Sequence, residues 1–395
     1  MRMAKTSYQS TDFSWNAFMS LGFRPFYLAG SSYAVISMLL WVAYLFDAIE
    51  LQGPLDGVLW HSHELIFGFA TAILIGFLFT AVRNWTKLPT PSGSLLLALL
   101  ALWCVGRTTP FLGLGAIGVG LDLAFLPVAA ICIAIPIFKS QNRRNYFAVA
   151  LLVVLSSAHF VFYAVAYELM EVDDSLVFLT AVNVFAIFIT VIAGRIIPLF
   201  SNNAYGEKRA KRHRGLEYVI VFGMLAVLGT DAVFGISDEL APQRAAFMTL
   251  LAMFHVIKML CWRPHITLSD PILWILPLSY AWVPIALTLR AASLLDWPVD
   301  QILGLHAMTA GAMGSMMLAM MTRSSLGHTG RPIKASKLDT AIFISISLGA
   351  AVRVFGPIVM PELYLMEIAL SSVLWSIAFL IFTLRYWPIL TSERI

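Results

Sequence analysis

Long apolar runs broken by short polar segments dominate this chain. Bounded by Gly, Pro and charge clusters, the apolar runs fall at about 24–47, 60–82, 92–108, 111–137, 145–166 and 173–198, then at about 214–234, 241–260, 271–293, 299–322, 335–356 and 361–386. Most are close to the roughly 20 residues that an α-helix needs to cross about 30 Å of hydrocarbon. The pattern predicts an all-α, polytopic integral membrane protein with 12 transmembrane helices, forming one domain over residues 1–395. The third run is short. The Gly-rich opening of the fourth, FLGLGAIGVGLD, predicts either a tight turn or a broken helix. No internal repeat is evident, and the polar loops near 201–214 and 324–337 are too short to be domains.

Charge placement tests this count. With the N-terminus inside, every Lys and Arg except Arg107, Arg244, Arg290 and Arg353 falls on the cytoplasmic side. Acidic residues gather on the other side, as Asp47, Glu50, Asp56, Glu168, Glu171, Asp173 and Asp174 do. The Lys/Arg excess sets orientation, so both termini are expected in the cytoplasm. Composition narrows the class further, with 59% hydrophobic and 12% charged residues and a mean hydropathy of +0.83. A soluble domain is about a quarter charged, which excludes a soluble enzyme, a secreted disulfide scaffold and a disordered tail. A net charge of +4 without a long basic tract points away from nucleic acid. Cys104, Cys132 and Cys261 sit in separate apolar runs without CxxC spacing and read as small buried hydrophobes. The polar first 20 residues lack an apolar core and cleavage site, so the first helix is expected to insert without a signal peptide being removed.

Titratable groups inside a bilayer are costly and mark cavities, partners or cofactors. Of the 8 histidines, His213, His265 and His328 fall in cytoplasmic loops, His255 lies at mid-membrane or deeper, and His159 reads as a structural polar contact between helices. His61 and His63 stand at the outer start of helix 2, in Trp60-His61-Ser62-His63-Glu64. Helical spacing puts His61 and Glu64 on one face and His63 elsewhere, unless the segment is uncoiled and all three converge. Imidazoles with a carboxylate suit copper, iron or zinc; the alternative is a polar cap on the helix. His306 enters helix 10 from the same side, above a stripe of Met313, Met317 and Met320 that reads chiefly as core packing. Gly304, Gly311 and Gly314 on helix 10, and Gly68, Ala72 and Gly76 on helix 2, allow close helix approach. The two helices are therefore expected to pack together and bring His61, His63 and His306 to one outer site.

A haem would suit the aromatic walls around these histidines. Its propionates need cations, and Arg107, Arg290 and Arg353 near the outer helix ends are candidates, with snorkelling to the headgroups as the alternative. There is no CxxCH, so any haem is non-covalent and b-type or related.

Five strings resemble the NnrS family, polytopic haem- and copper-containing membrane proteins of bacterial nitric oxide metabolism. They are GFRPFYLAG (22–30), WHSHELIFGF (60–69), TAVRNWTKLP (80–89), GRIIPLFSNNA (194–204) and LHAMTAGAMGSMMLAMMTRSSLGHTGRP (305–332). The resemblance implies a bacterial inner-membrane protein, b-type haem, and copper or non-haem iron. It supports His61, His63, His255 and His306 as metal and cofactor ligands, Glu64 as ligand or proton donor, and His328 with Arg331 as cofactor-binding. It also draws in Arg83, Asn84, Trp85, Arg195, Pro198 and Asn203. Lys258 replaces the more usual Arg after His255. Pro277, in LPLSY, stands where an LHxxY histidine is expected, and Tyr163 where a histidine near His159 is more usual, so this chain has fewer ligands if either position supplies one.

The resemblance implies binding of nitric oxide at a haem–metal site, with protection against nitrosative stress. Two facing metals would bring two nitric oxide molecules together for reduction to nitrous oxide. An enzyme of this kind needs an electron donor, a quinol or a redox protein, because no flavin or nicotinamide motif is present. The alternative is a non-catalytic nitric oxide buffer or sensor. A secondary transporter fits the helix count, but the loop after helix 2 lacks the GxxxDRxGRR-type pattern and the halves show no repeat.

Overall fold

The structure, a computed structural model, describes residues 12–50, 55, 57–112, 114–205, 209–235 and 239–395. Among the described residues it is helical throughout, without strands. The main helices are α1 (Phe23–Leu45), α2 (Gly57–Thr86), α3 (Gly93–Leu112), α4 (Gly115–Lys139), α5 (Tyr146–Ala166) and α6 (Asp174–Tyr205). They continue with α7 (Arg214–Phe234), α8 (Ala241–Cys261), α9 (Pro271–Ser293), α10 (Gln301–His328), α11 (Lys337–Val359) and α12 (Tyr364–Thr391). Among the described residues, 11 helices are long and apolar enough to cross a membrane, and α3, apolar over Gly93–Thr109, falls short of that length. The chain is a polytopic membrane protein. The Gly-rich stretch resolves into a break before α4, which starts at Gly115 with φ +54°, a left-handed conformation that glycine adopts without strain.

Each helix packs on the next, and α12 returns to α1, so the bundle closes into a ring. Inside it, α2 also meets α4 and α10, and α10 reaches α6 and α1. Burial follows from this arrangement. The apolar window of α2 is 83% buried, against 22% for α7, which faces outward. Backbone N–H of Ser14 donates to Thr391 O (2.8 Å), and Ser14 Oγ to Glu393 Oε1 (2.5 Å), so the two ends of the chain meet at one end of the bundle.

The small-residue faces of α2 and α10 do not meet each other as expected. A Cβ on Gly76 would lie 2.8 Å from Phe26 Cβ of α1, and one on Gly68 would strike Arg107 of α3 at 2.6 Å. On α10, a Cβ at Gly311 would stand 2.5 Å from Trp282 of α9, Gly304 faces Arg290, and Gly314 faces Trp375 of α12. Small residues license close approach but do not name the partner. Here the partner is a bulky side chain of a neighbouring helix in the ring.

Buried polar contacts fix the ring where apolar packing alone leaves register free. Arg24 Nη1 of α1 donates to the carbonyls of Leu390 (2.9 Å) and Ser392 (2.7 Å), satisfying the open C-terminal end of α12. Asp339 caps α11 in a reciprocal box with Ser336 and accepts from Arg385 Nε of α12 (2.8 Å). Asp231 of α7, fully buried, accepts from Asn183 of α6 (2.7 Å), Arg290 of α9 (2.7 Å) and Arg244 of α8 (3.3 Å). Removing one partner of a buried ion pair costs about 3–5 kcal/mol, because the other charge stays behind. Thermal unfolding in detergent therefore has a clear expectation. Asp231→Asn lowers the midpoint by several degrees, whereas Arg212→Gln, which breaks the partly exposed Arg212–Glu217 pair, changes it little, such pairs being worth at most about 1 kcal/mol.

Candidate metal centre and cofactor cavity

The segment Gly57–His63 opens α2 as an α-helix, and Glu64–Ala70 continues it as a π-helix. α10 repeats this arrangement, with Gln301–His306 followed by π-helical Ala307–Gly314. Each helix thus changes to a wider winding directly after its histidines. A π turn holds an extra residue and re-aims side chains, and such turns are frequent at functional sites. The 3.6-residue period joins His61 with Glu64 and separates His63. The structure does the reverse, placing His63 against Glu64 and sending His61 to another face.

His63 belongs to a cluster formed where α1 to α5 converge. Its Nδ1–H donates to Glu64 Oε1 (3.0 Å), and its Nε2 lies 2.9 Å from Nε2 of His159 and 3.3 Å from Asp122 Oδ2. His159 Nε2 is 3.5 Å from the same Asp122 oxygen. Arg107 of α3 spans the two carboxylates, one terminal nitrogen on Glu64 and the other on Asp122. Tyr33 donates to Glu64 Oε2 (2.6 Å) and Tyr163 to Asp122 Oδ2 (2.9 Å). Trp103 Nε1 ties α3 to the π segment by donating to Gly68 O (3.0 Å). His63 and Glu64 are wholly buried, Asp122 and His159 nearly so.

The chemistry of this cluster follows from its charges. Two carboxylates and one guanidinium leave a single formal negative charge if both imidazoles are neutral, and buried charge requires a counter-charge. Ligand atoms of His63, His159 and Asp122 all lie within 4.8 Å of one another. Two imidazoles and a carboxylate are a donor set for copper, non-haem iron or zinc. Glu64 stands outside that set. Its oxygens receive His63, Tyr33 and Arg107, so it fixes the His63 tautomer and leaves Nε2 as the ligating atom.

His61 turns instead into an apolar cavity of about 330 Å³ between α1, α2, α10, α11 and α12, shared with His306 and Arg353. The His61 ring stacks on Trp41 with centroids 4.4 Å apart. His306 Nδ1–H donates to Ile302 O (2.9 Å), which leaves Nε2 free to ligate. Buried His61 Nδ1, Arg353 Nη1 and Trp375 Nε1 have no hydrogen-bond partner. Unpaired buried polar atoms are costly, and their presence on one cavity wall marks a place built for a ligand. An adjoining cavity of about 410 Å³ shares Val58, Ser62, Ile302 and Leu305, and Arg290 lines it. Imidazoles, apolar and aromatic walls and peripheral guanidiniums fit a haem with its two acidic substituents.

The remaining candidates lie elsewhere. Arg107 is taken up by the carboxylates of the buried cluster and faces neither cavity, and Arg290 also serves Asp231. His255 bonds Tyr280 (2.8 Å) and leaves Nε2 unpartnered, beside Lys258, whose Nζ donates to Thr190 O (3.0 Å). It lines neither outer cavity. His328 lines a cavity at the opposite end of the bundle, and Arg331 donates to Ser392 Oγ (3.1 Å).

Sequence reasoning passed over Asp122, the place of His159 beside it, and the tyrosines that hold the carboxylates. The signal for Asp122 is an acid inside an apolar run, GVGLDLAFL. Tyr163, one of the two positions departing from the family pattern, is the Asp122 donor. Pro277 sits buried inside α9, one turn before the Tyr280 that pairs with His255.

No curated protein matches the chain. The family described as NnrS protein matches residues 17–394, nearly the whole length, and the chain belongs to that family.

Proposed function

We propose that this protein binds nitric oxide at a haem held between α2 and α10, beside a separate metal centre held by α2, α4 and α5, in the bacterial cytoplasmic membrane with both termini inside. Family membership supports a nitric oxide-related membrane protein. The observation that carries the reading is the convergence of His61 and His306, distant in sequence, on one cavity with the unpaired Arg353 Nη1. His61 and His306 would offer nitrogens to the haem iron, and Arg353 and Arg290 would face the propionates. Haem supplies an iron that binds nitric oxide and exchanges electrons. His63, His159 and Asp122 would hold copper or non-haem iron, with Glu64 keeping His63 Nδ1 protonated.

Reduction extends this reading. Two nitric oxide molecules, two electrons and two protons give nitrous oxide and water, with the electrons drawn from a quinol or a redox protein. Because His61 and His63 face different sides of α2, the haem and the second metal would not share one cavity. His61, His306 and Arg353 would therefore line the cavity that takes up nitric oxide, while the buried cluster would hold charge and protons behind it. A nitric oxide buffer or sensor uses the same residues without the electron supply.

Purified protein is expected to show a Soret band that shifts on adding nitric oxide to the reduced form. His61→Ala and His306→Ala should each remove most of the haem, with His255→Ala as the retained control; an unchanged Soret band in the first two defeats the assignment. For the second centre, His159→Ala is expected to remove the non-haem metal and spare the haem. Glu64→Gln should weaken metal affinity by about 10–100-fold, the usual cost of losing the partner that orients a ligating histidine. With excess electron donor, nitrous oxide release separates enzyme from buffer: none at all leaves only the binding role.

A further inference from the structure

At the end of the ring opposite the histidine cavity, a space of about 780 Å³ opens among α1, α2, α6, α10 and the turn before α5. Four of the five family-like strings reach it, through Tyr27, Trp85, Arg195 and Arg323, and neither outer centre uses those residues. Arg144, Arg195 and Arg323 line it, and no carboxylate does. Arg195 donates only to neutral groups, Asn145 Oδ1 (2.8 Å) and the Arg144 carbonyl (3.3 Å). Arg323 lies over the Phe200 ring at 3.9 Å and makes no hydrogen bond or ion pair among the described residues. The nearest acids, Glu217 by Arg195 and Asp270 by Arg323, stand outside the lining. The three guanidiniums, half-buried or exposed, therefore leave the cavity itself positive and suited to an anion from outside the chain.

The shape says what kind of anion. Towards the middle of the bundle the cavity continues as a narrow apolar space of about 70 Å³ between Phe188 and Met317, and Tyr27 and Phe77 line both parts. Its rim carries Leu199 and Ile333, large apolar residues 52% and 45% exposed. Charge at the end, an apolar channel towards mid-bundle and an apolar rim match an amphiphile lying along the bilayer normal. We infer that this cavity binds an acidic phospholipid, its phosphate between Arg195 and Arg323 and an acyl chain directed towards Phe188 and Met317. Basic pockets between transmembrane helices recognise acidic headgroups in this way. A zwitterionic lipid would bring its ammonium among three guanidiniums, and a free inorganic anion would leave the apolar channel unused.

The inference is independent of the nitric oxide reading and is tested on the full-length, delipidated protein in detergent. Mixed micelles containing phosphatidylglycerol should raise the thermal unfolding midpoint, whereas phosphatidylcholine at the same fraction should not. Arg323→Gln should weaken the apparent phosphatidylglycerol affinity about fivefold, and Arg195→Gln with Arg323→Gln multiplicatively more, at about one arginine–headgroup contact each. Haem and metal content should stay at wild-type levels. Native mass spectrometry of the wild-type protein, showing one phosphatidylglycerol retained, supports the site even if the double variant does not fold. Three results overturn it: equal stabilisation by the two lipids, a full effect from inorganic phosphate alone, or loss of haem from the arginine variants, which would make the cavity a cofactor site.

Discussion

Arg107 sits in the interior of a membrane protein, and everything around the first centre is arranged by what that demands. A guanidinium there is tolerated only with its charge matched. Glu64 and Asp122 supply the match, one from α2 and one from α4, while Arg107 itself comes from α3. The three helices are thereby held at a fixed rotation, because turning any of them would strand a charge. Tyr33 and Tyr163 extend the constraint to α1 and α5. His63 and His159 then meet because their helices have no other arrangement that leaves these acids satisfied. Apolar surface puts the helices in the bilayer, and this charge cluster decides their register.

The ring uses the same principle at other points. Asp231 ties α6 to α9, and Asp339 with Arg385 ties α11 to α12. With so few charged residues available, nearly every buried one sits at a junction between helices. The same scarcity makes the exceptions informative. Arg353 Nη1 and His61 Nδ1, which line one cavity, are groups whose needs the protein leaves unmet.

Much of the fold was legible in the amino-acid order. Hydropathy located each helix, because in lipid every backbone polar group must bond within its own segment and long apolar helices are the solution. Of the three histidines expected at one site, His61 and His306 line one cavity and His63 does not, and of the three candidate arginines only Arg353 joins them there. The separation of His61 from Glu64 was not legible. Glu64 opens the π winding, and periodicity counts assume 3.6 residues per turn. The partners of the small-residue faces also escaped, because a glycine registers closeness without saying to what: Gly311 looked fit for α2 and instead receives Trp282. Asp122 was readable in principle, as an acid in an apolar run, but its partners lie on other helices and only three-dimensional packing brings them in.

The placement of His61 and His63 on one short stretch of backbone has a mechanical side. Their two rings are separated by a single residue, yet one rests on Trp41 and the other against His159. That stretch bridges two separate seats. Both rings hang on the same turn of backbone, so a change in the winding of the α2 mouth moves the two of them together.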